Sequence, residues 1–314
     1  MSTVKTEQQG ILLESGTNEV EIIEFYLGGQ SFGVNVAKVK QIVQFDEKLL
    51  TRVPQANPLI MGLFAFRNTT IPLVDLNKAL GNSPSKTEKP LVLVTEFNNL
   101  VNSFMIDGVN RIHRVSWKNI KPMDALLEGC VSCFTGSINV EKRQILVIDL
   151  EHLLSDLNPS SGIIDRIDKE TAKQIHNHHG HIKVIIAEDS TFVRNAISSS
   201  LKHAGFEIAG TFDNGLSAFE FVKSLKEKAE AENKNMRDFA DAIITDIEMP
   251  SMDGLTLCKN IKENLMLRKF PVIIFSSLIN EQFTARCKTV GADAYLGKPQ
   301  IENLKNLIME TLQN

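Results

Sequence analysis

Three carboxylates in the C-terminal half of the sequence are the residues best placed to do chemistry. Glu188 and Asp189 end the apolar stretch "HIKVIIAEDS", and Asp246 ends the stretch "DAIITD". Carboxylates that share one crevice raise one another's pKa values unless a cation neutralises them, and hard oxygen ligands of this kind favour Mg2+. The three acids therefore predict a magnesium site if the fold brings them together.

Two further polar side chains follow apolar stretches in the same part of the chain. Ser276 lies in "PVIIFSS", and Lys298 follows "DAYLG". A cation, a lysine and a hydroxyl around one carboxylate are the groups that neutralise and hold a transferring phosphoryl group. Asp246 is then predicted to be the nucleophile that carries this group. Each position alone is more typical of a helix cap or a solvated loop, so the prediction depends on the whole set.

Five buried-looking strands would have to position these groups. They are "HIKVIIA", "FEIAGT", "DAIITD", "PVIIFSS" and "DAYLG", and they alternate with helical stretches. This alternation predicts a parallel sheet with helices on both faces. Ligands bind at the carboxyl ends of the strands in such sheets. The acids, the serine and the lysine are all expected at that edge.

The N-terminal half has a different pattern, with short runs rich in Val, Ile and Phe between Gly, Asn and Pro. The runs are "VEIIEFYLGG", "QSFGVNV", "TIPLVDL", "PLVLVTEF", "LVNSFMIDGVNRIHRV" and "RQILVIDL". They predict an all-β domain of barrels, interrupted by one short helix over "VAKVKQIV". We find no catalytic grouping and no phosphate-binding glycine loop in this half, which favours a binding module.

A chain of 314 residues with 43% hydrophobic content is typical of two domains. The stretch "NPSSGIIDRIDKETAKQIHNHHG" breaks the periodic pattern and predicts a linker, with a possible short helix in its middle and histidines to which we assign no site. The predicted divisions are a flexible N-terminus at 1–17, a domain at 18–157, the linker at 158–180 and a second domain at 181–314.

Composition excludes several classes of partner. A formal net charge of -4 gives no basic footprint, so nucleic acid is not expected as a principal partner. The start "MSTVKTEQQG" is unlike a signal peptide, and "PLIMGLFAF" is too short to span a bilayer, so we expect a cytoplasmic protein without direct membrane insertion. Four cysteines with a single CxxC favour free buried thiols over a zinc site.

The C-terminal motifs resemble the response-regulator receiver domain. The matching stretches are "VIIAEDS", "AIITDIEMPSMDG", "PVIIFSS" and "GADAYLGKP", and the resemblance covers residues 181–314. It implies a flavodoxin-like α/β fold with a five-stranded parallel sheet. It also implies that Asp246 is the phosphoacceptor and that Mg2+ is the cofactor.

The same resemblance implies a role for each site residue. Asp189 and Asp246 would bind the metal directly, Glu188 would orient metal-bound water, and Glu248 would offer its main-chain carbonyl. The remaining roles are phosphoryl contacts from Ser276 and Lys298, a change of rotamer at Tyr295, and a cis peptide bond before Pro299.

Residues 18–157 resemble the CheW-like chemotaxis coupling domain, in "EFYLGGQSFGVNVAKVKQI", "MGLFAFRNTTIPLVDLNKALG" and "VNSFMIDGVNRIHRV". The resemblance implies two small five-stranded barrels that bridge the cytoplasmic tips of chemoreceptors to a histidine kinase. Arg67 is the candidate partner-binding residue. Asn68 stands where the family usually has glycine, and asparagine tolerates the positive φ of such a turn. The domain order resembles that of CheV-type coupling proteins.

Together the resemblances imply a chemotaxis adaptor that is not a substrate-turnover enzyme. Phosphorylation of Asp246 by a partner kinase would modulate coupling at membrane-associated chemoreceptor arrays. An aspartate-nucleophile phosphatase is the enzymatic alternative, but such enzymes have a second aspartate where this chain has Glu248. A flavin-binding module is a third possibility, although "AEDSTF" presents negative charge to an anionic cofactor. The sign of the effect on coupling and a role as a phosphate sink stay open.

Overall fold

The computed structural model describes residues 16–83, 85, 87–98, 100–122, 133–141, 143–157 and 182–313. Within these ranges the chain forms an N-terminal domain of two sheets and a C-terminal α/β domain. The linker expected at 158–180, with its possible helix, lies outside the described residues, as do the linker histidines and nearly all of the N-terminal segment.

The N-terminal domain is built from strands, as predicted. They are β1 (Glu19–Leu27), β2 (Gln30–Asn35), β3 (Val39–Gln44), β4 (Leu50–Thr51), β5 (Ile60–Phe66), β6 (Thr69–Asp75), β7 (Leu91–Phe97), β8 (Leu100–Ile106), β9 (Gly108–Ser116), β10 (Phe134–Val140) and β11 (Arg143–Ile148). One sheet has the order β10-β11-β2-β1-β9, and the other has the order β3-β7-β8-β6-β5-β4. The second sheet therefore has one strand more than the five expected, because the two-residue β4 pairs with β5.

The helix predicted over "VAKVKQIV" is wrong. Val36–Lys38 form a single 3-10 turn, and Val39–Gln44 continue as β3, which pairs with β7. The β-branched residues Val39, Ile42 and Val43 favour a pleated surface over a helix, and the neighbouring strand supplies hydrogen bonds that an isolated short helix would lack. Two short helices are present elsewhere in the domain, α1 (Leu76–Ala79) and α2 (Leu150–Leu157).

Apolar residues of the N-terminal domain gather in three clusters. One lies within the first sheet and includes Trp117, and a second lies within the second sheet and includes Phe64. The third contains buried residues from strands of both sheets, among them Phe25 of β1 and Phe104 of β8, and also Leu150 of α2. This shared cluster fixes the two sheets against each other and holds the start of α2 in place.

The C-terminal domain alternates strands and helices, as predicted. Its elements are β12 (Lys183–Ala187), α3 (Thr191–His203), β13 (Glu207–Phe212), α4 (Gly215–Ala231), β14 (Ala242–Thr245), α5 (Gly254–Glu263), β15 (Val272–Ser276), α6 (Glu281–Thr289), β16 (Ala294–Gly297) and α7 (Ile301–Gln313). The sheet has the order β13-β12-β14-β15-β16, and all its pairings are parallel. Separate hydrophobic clusters cover its two faces. The arrangement is the five-stranded, flavodoxin-like fold that was expected.

Two cysteines of the C-terminal domain are free and buried, as predicted. Burial raises the pKa of the Cys258 and Cys287 thiols to about 12, so both stay protonated and unreactive at neutral pH. Cys133 is half-buried, and Cys130 lies outside the described residues. In the part of the chain that the structure describes, we find no helix with the length and apolar character needed to cross a bilayer.

Candidate metal and phosphoacceptor site

The register of the parallel sheet brings the three predicted acids together. Thr245 of β14 pairs with Ala187 of β12, so the residues that follow them, Asp246 and Glu188, emerge at the same level of the sheet. Oxygen atoms of Glu188, Asp189 and Asp246 all lie within 4.8 Å of one another. The prediction of an acidic crevice at the carboxyl edge is therefore confirmed.

Lys298 is the cation of this crevice. It follows β16, is 7% exposed, and donates from Nζ to Asp246 Oδ2 at 2.9 Å and to Glu188 Oε1 at 3.2 Å. Burial alone lowers the pKa of Lys298, but the Asp246 and Glu188 carboxylates outweigh it and raise the pKa well above its ordinary value. The lysine therefore stays charged, as the sequence interpretation required.

The single positive charge of Lys298 does not neutralise the negative charges of three carboxylates. Glu188 Oε2 is buried and accepts no hydrogen bond from the described residues, although it lies 3.1 Å from Lys298 Nζ. Removal from water, reinforced by repulsion from Asp246, raises the pKa of Asp189 to about 8. A divalent cation would relieve this repulsion and supply the missing partner for the carboxylate oxygen, so the residues present fit Mg2+.

The backbone around Asp246 is held tightly. Asp246 Oδ1 accepts a hydrogen bond from the Ile247 amide at 2.6 Å, and the Asp246 amide donates to the Ala187 carbonyl at 2.9 Å. Gly254, the first residue of α5, packs directly on this segment, since a Cβ at Gly254 would overlap the Asp246 carbonyl oxygen. The glycine thus allows α5 to begin against the end of β14.

Ser276 lies on the strand next to β14, and Tyr295 lies one strand further out, on β16. Ser276 ends β15 and is fully buried, and its Oγ accepts from the Leu278 amide at 3.4 Å. Tyr295 is partly buried on β16 and packs against one of the two cores of the domain. No hydrogen bond between described residues joins Ser276 to Asp246, so its phosphoryl contact stays a prediction. The cis bond expected before Pro299 stays a prediction.

Known proteins resemble both halves of the chain. The model of the CheW-like domain family matches residues 21–158, and that of the response regulator receiver domain family matches residues 184–309. Chemotaxis protein CheV3 of Helicobacter pylori (strain ATCC 700392 / 26695) is 30% identical, over 94% of this chain and 95% of its own length. The chain belongs to the CheV family.

Two further relatives match the chain over different lengths. Chemotaxis protein CheV2 of the same Helicobacter pylori strain is 26% identical over 94% of this chain and 95% of its own length. Chemotaxis protein CheW of Klebsiella aerogenes is 26% identical over 48% of this chain and 89% of its own length. The protein is a chemotaxis coupling adaptor that carries a receiver domain.

In this CheV protein the Glu248 side chain points toward the coupling domain. Its Oε1 accepts from Asn35 Nδ2 at 2.8 Å, and its Oε2 lies 2.7 Å from Lys38 Nζ. Metal ligation was predicted for the main-chain carbonyl of Glu248, and that role stays a prediction. The contacts of its carboxylate were not foreseen.

Arg67 lies apart from these contacts, in the turn between β5 and β6. It is exposed, donates from Nη2 to Gln41 Oε1 at 2.7 Å, and stacks its guanidinium over the Phe66 ring at 5.2 Å. The positive φ expected at Asn68 occurs instead at Arg67, where φ is 54°. Both of these side-chain contacts lie within the coupling domain, and partner binding by Arg67 stays a prediction.

Sequence reasoning missed one residue that supports the acids of this CheV receiver. Arg194, in the first turn of α3, donates from Nη1 to the main-chain carbonyls of Glu188 at 2.5 Å and Asp189 at 3.2 Å. An arginine at this end of a helix opposes the helix dipole, and that mismatch is the signal that could have revealed it. The arginine fastens the acidic loop to the helix that follows it.

Proposed function

We propose that the protein couples chemoreceptors to a histidine kinase, and that Mg2+-dependent phosphorylation of Asp246 in its receiver domain modulates this coupling. The observation that carries the proposal is the buried Lys298 bound to Asp246 beside two further acids. This arrangement holds a nucleophilic carboxylate, a fixed positive charge and oxygen ligands for a metal in one crevice.

The chemical step is the transfer of a phosphoryl group from a kinase phosphohistidine. A carboxylate oxygen of Asp246 forms a bond to phosphorus while the N–P bond breaks, and the histidine nitrogen keeps the electron pair of that bond. Lys298 holds its positive charge beside the incoming phosphoryl oxygens, and the Ser276 hydroxyl would donate to one of them. Bound Mg2+, held by Asp189, Asp246 and the Glu248 carbonyl, would neutralise developing negative charge.

The coupling half of the proposal is supported by the CheW-like domain. The CheW-like family model matches residues 21–158, and this part of the chain contains its own hydrophobic cores. A domain of this kind offers a binding surface and not a reaction centre. Its proposed partners are the cytoplasmic tips of chemoreceptors and the kinase itself.

The position of Glu248 favours an adaptor over an aspartate-nucleophile phosphatase. In such an enzyme a residue two places after the nucleophile acts as the general acid and must reach the leaving group. The Glu248 carboxylate is instead bound by Asn35 and Lys38 of the coupling domain. It is therefore poorly placed to deliver a proton to a substrate at Asp246.

Phosphotransfer from a radiolabelled chemotaxis histidine kinase tests the receiver half. We expect label on the wild type with Mg2+, and loss of label with excess EDTA or in Asp246→Asn. Asp213→Asn is the matched control, because it makes the same substitution at an exposed aspartate of the same domain. Equal labelling of wild type and Asp246→Asn would contradict the proposal.

Receptor-containing membranes test the coupling half. Kinase activity in these membranes should depend on added protein, and cosedimentation should show the protein bound to receptor and kinase. Arg67→Ala is expected to weaken this binding without reducing phosphotransfer to Asp246. If removal of the receiver abolishes binding to receptor and kinase, the assignment of coupling to residues 18–157 is contradicted.

A further inference from the structure

The receiver edge that carries Asp246 lies against the coupling domain. We use the term edge loops for residues 246–253 and 277–280, which follow β14 and β15 at the carboxyl edge of the sheet. Both loops make hydrogen bonds or ion pairs with residues of the coupling domain. The contact is polar, since each hydrophobic cluster of the described residues lies within one domain.

An ion triad around a buried lysine forms the centre of this contact. Lys38 of the coupling domain is 5% exposed, and its Nζ lies 2.7 Å from Glu151 Oε1 and 2.7 Å from Glu248 Oε2. Glu151, at the start of α2, also accepts from the Ser277 hydroxyl at 2.6 Å. The triad therefore joins the coupling domain to both edge loops, and without its lysine two partly buried carboxylates would be left without that cation.

Asn18 forms a second, independent anchor. Its Nδ2 donates to the Ser251 carbonyl at 3.0 Å, and its Oδ1 accepts from the Asp253 amide at 3.0 Å. Asn18 has a φ of 58°, so glycine could replace it without backbone strain and remove only the side chain. This makes the anchor separable from the fold of the coupling domain.

Three main-chain amides donate across the contact. The Asn98 amide donates to the Ser277 carbonyl at 3.1 Å, the Ser251 amide to the Trp117 carbonyl at 3.1 Å, and the Asp253 amide to Asn18 Oδ1 at 3.0 Å. We call these the cross-domain amides. Because each acceptor belongs to the opposite domain, their protection from solvent depends on docking.

We infer that the coupling domain is an intramolecular lid on the receiver, held down by the Lys38–Glu151–Glu248 triad and by Asn18, and that it restricts access of a protein phosphodonor to Asp246. Asp246 is the first residue of one edge loop and Ser276 directly precedes the other, so a donor histidine must approach from the side that the lid contacts. A folded donor domain can reach Asp246 only when these loops are free of the coupling domain. A small molecule such as acetyl phosphate can reach it through a narrow opening. The inference rests on the proposed function, because it concerns delivery of the phosphoryl group to Asp246.

Amide hydrogen exchange on the full-length protein tests the docking. We expect Lys38→Met to raise the exchange rates of the cross-domain amides roughly fivefold or more. Lys40→Met is the matched control, since Lys40 lies two residues away and pairs with Glu96 at 2.7 Å within the coupling domain. Its cross-domain amides should exchange as in the wild type.

Asn18→Gly provides a second test if Lys38→Met disturbs the coupling domain itself. The Asn98 and Ser251 amides, whose acceptors this change leaves in place, should also exchange faster, while amides in the cores of both domains keep their protection. Asn233→Gly is the matched control, because Asn233 also has a positive φ, 52°, but lies exposed after α4. In each of the two comparisons, the same substitution is made once at the domain contact and once away from it.

Initial rates of phosphorylation test the consequence. With radiolabelled phosphorylated kinase as donor, both contact variants should be labelled roughly fivefold or more faster than their matched controls, and the gain should be smaller with acetyl phosphate. If the correctly folded Asn18→Gly variant shows unchanged amide exchange or unchanged labelling by the kinase, the inference of a lid is overturned. The proposed function is then left intact. Absence of label in every variant with both donors overturns the proposed function, and the lid fails with it.

Discussion

Individual charged residues in this protein are stabilised by specific partners. Glu24 is fully buried in β1, and its carboxylate contacts Ser31, Asn110, His113 and Arg143. Burial alone would raise the pKa of Glu24, but the hydrogen bonds from His113, Ser31 and Asn110, with the charge of Arg143, lower it to about 2. The carboxylate is therefore tied to the first sheet in its charged form.

This pKa predicts a pH-dependent part of the stability of the coupling domain. Because the folded pKa of Glu24 lies below its ordinary value of 4.5, its contribution is present above pH 4.5 and is lost as the pH falls toward 2. We expect Glu24→Gln to lower the free energy of unfolding by about 3 kcal/mol at pH 6 and by much less at pH 2. Denaturant titration followed by Trp117 fluorescence measures this, since Trp117 is the only tryptophan and lies in that domain.

Glu47→Gln is the control for this prediction. Glu47 is largely exposed and pairs with an exposed arginine, so its substitution should have little effect at either pH. A destabilisation by Glu24→Gln that is the same at pH 6 and at pH 2 would contradict the role of the charged carboxylate.

The positions of individual site residues could be predicted from the sequence where those residues directly follow strands. Glu188, Asp246 and Lys298 follow apolar strands, and a parallel sheet brings such positions to one edge. The partners of Lys38 were not predictable in this way. Glu151 and Glu248 lie far from Lys38 in sequence, and only the docking of two domains brings the three together.

At the scale of elements, the start of α5 against the end of β14 is the junction most sensitive to substitution. We expect Gly254→Ala to destabilise the receiver by about 3 kcal/mol or more, because the added Cβ overlaps the Asp246 carbonyl. Thermal unfolding followed by the helical circular dichroism signal measures this, since most of the helices described belong to the receiver.

Gly108→Ala is the matched control for the glycine substitution. A Cβ at Gly108 would lie 3.9 Å from the Tyr26 ring, which is an ordinary packing distance. Gly108→Ala should change the unfolding temperature only slightly. If Gly254→Ala unfolds at the same temperature as the wild type, the packing described for α5 is wrong.

Elements of the receiver were more predictable than those of the coupling domain. Three of the five parallel strands, β12, β14 and β15, are buried apolar runs, which are easily seen in a sequence. The error at Val36–Lys38 and β3 arose because valines and isoleucines at mixed spacing satisfy both a helical and a strand pattern. Pairing with β7 decides between them, and that pairing is not encoded locally.

At the scale of the whole molecule, the separate cores predict two folding units joined by polar contacts. A protein consisting of residues 1–157 should unfold, by Trp117 fluorescence, within a few degrees of the transition that Trp117 reports in the full chain. The physical reason is that no hydrophobic cluster of the described residues is shared between the domains. Failure of residues 1–157 to show a cooperative transition would argue for a single folding unit.

Phosphorylation should weaken the docking of the two domains. A phosphoryl group adds negative charge to a crevice whose surroundings already include Glu151 and Glu248 of the ion triad. Beryllofluoride with Mg2+ is therefore expected to speed exchange of the cross-domain amides in the wild type and not in Asp246→Ala. Faster exchange confined to receiver amides near Tyr295, with the cross-domain amides unchanged, would contradict this expectation.

The central claim is that phosphorylation of Asp246 modulates coupling between receptor and kinase. The most direct measurement is kinase activity in receptor-containing membranes reconstituted with wild type or Asp246→Asn, each with and without acetyl phosphate and Mg2+. The account predicts that acetyl phosphate changes kinase activity with the wild type only, while both proteins bind the membranes equally. An identical response of the two proteins would contradict it and leave the receiver as a passive phosphate sink.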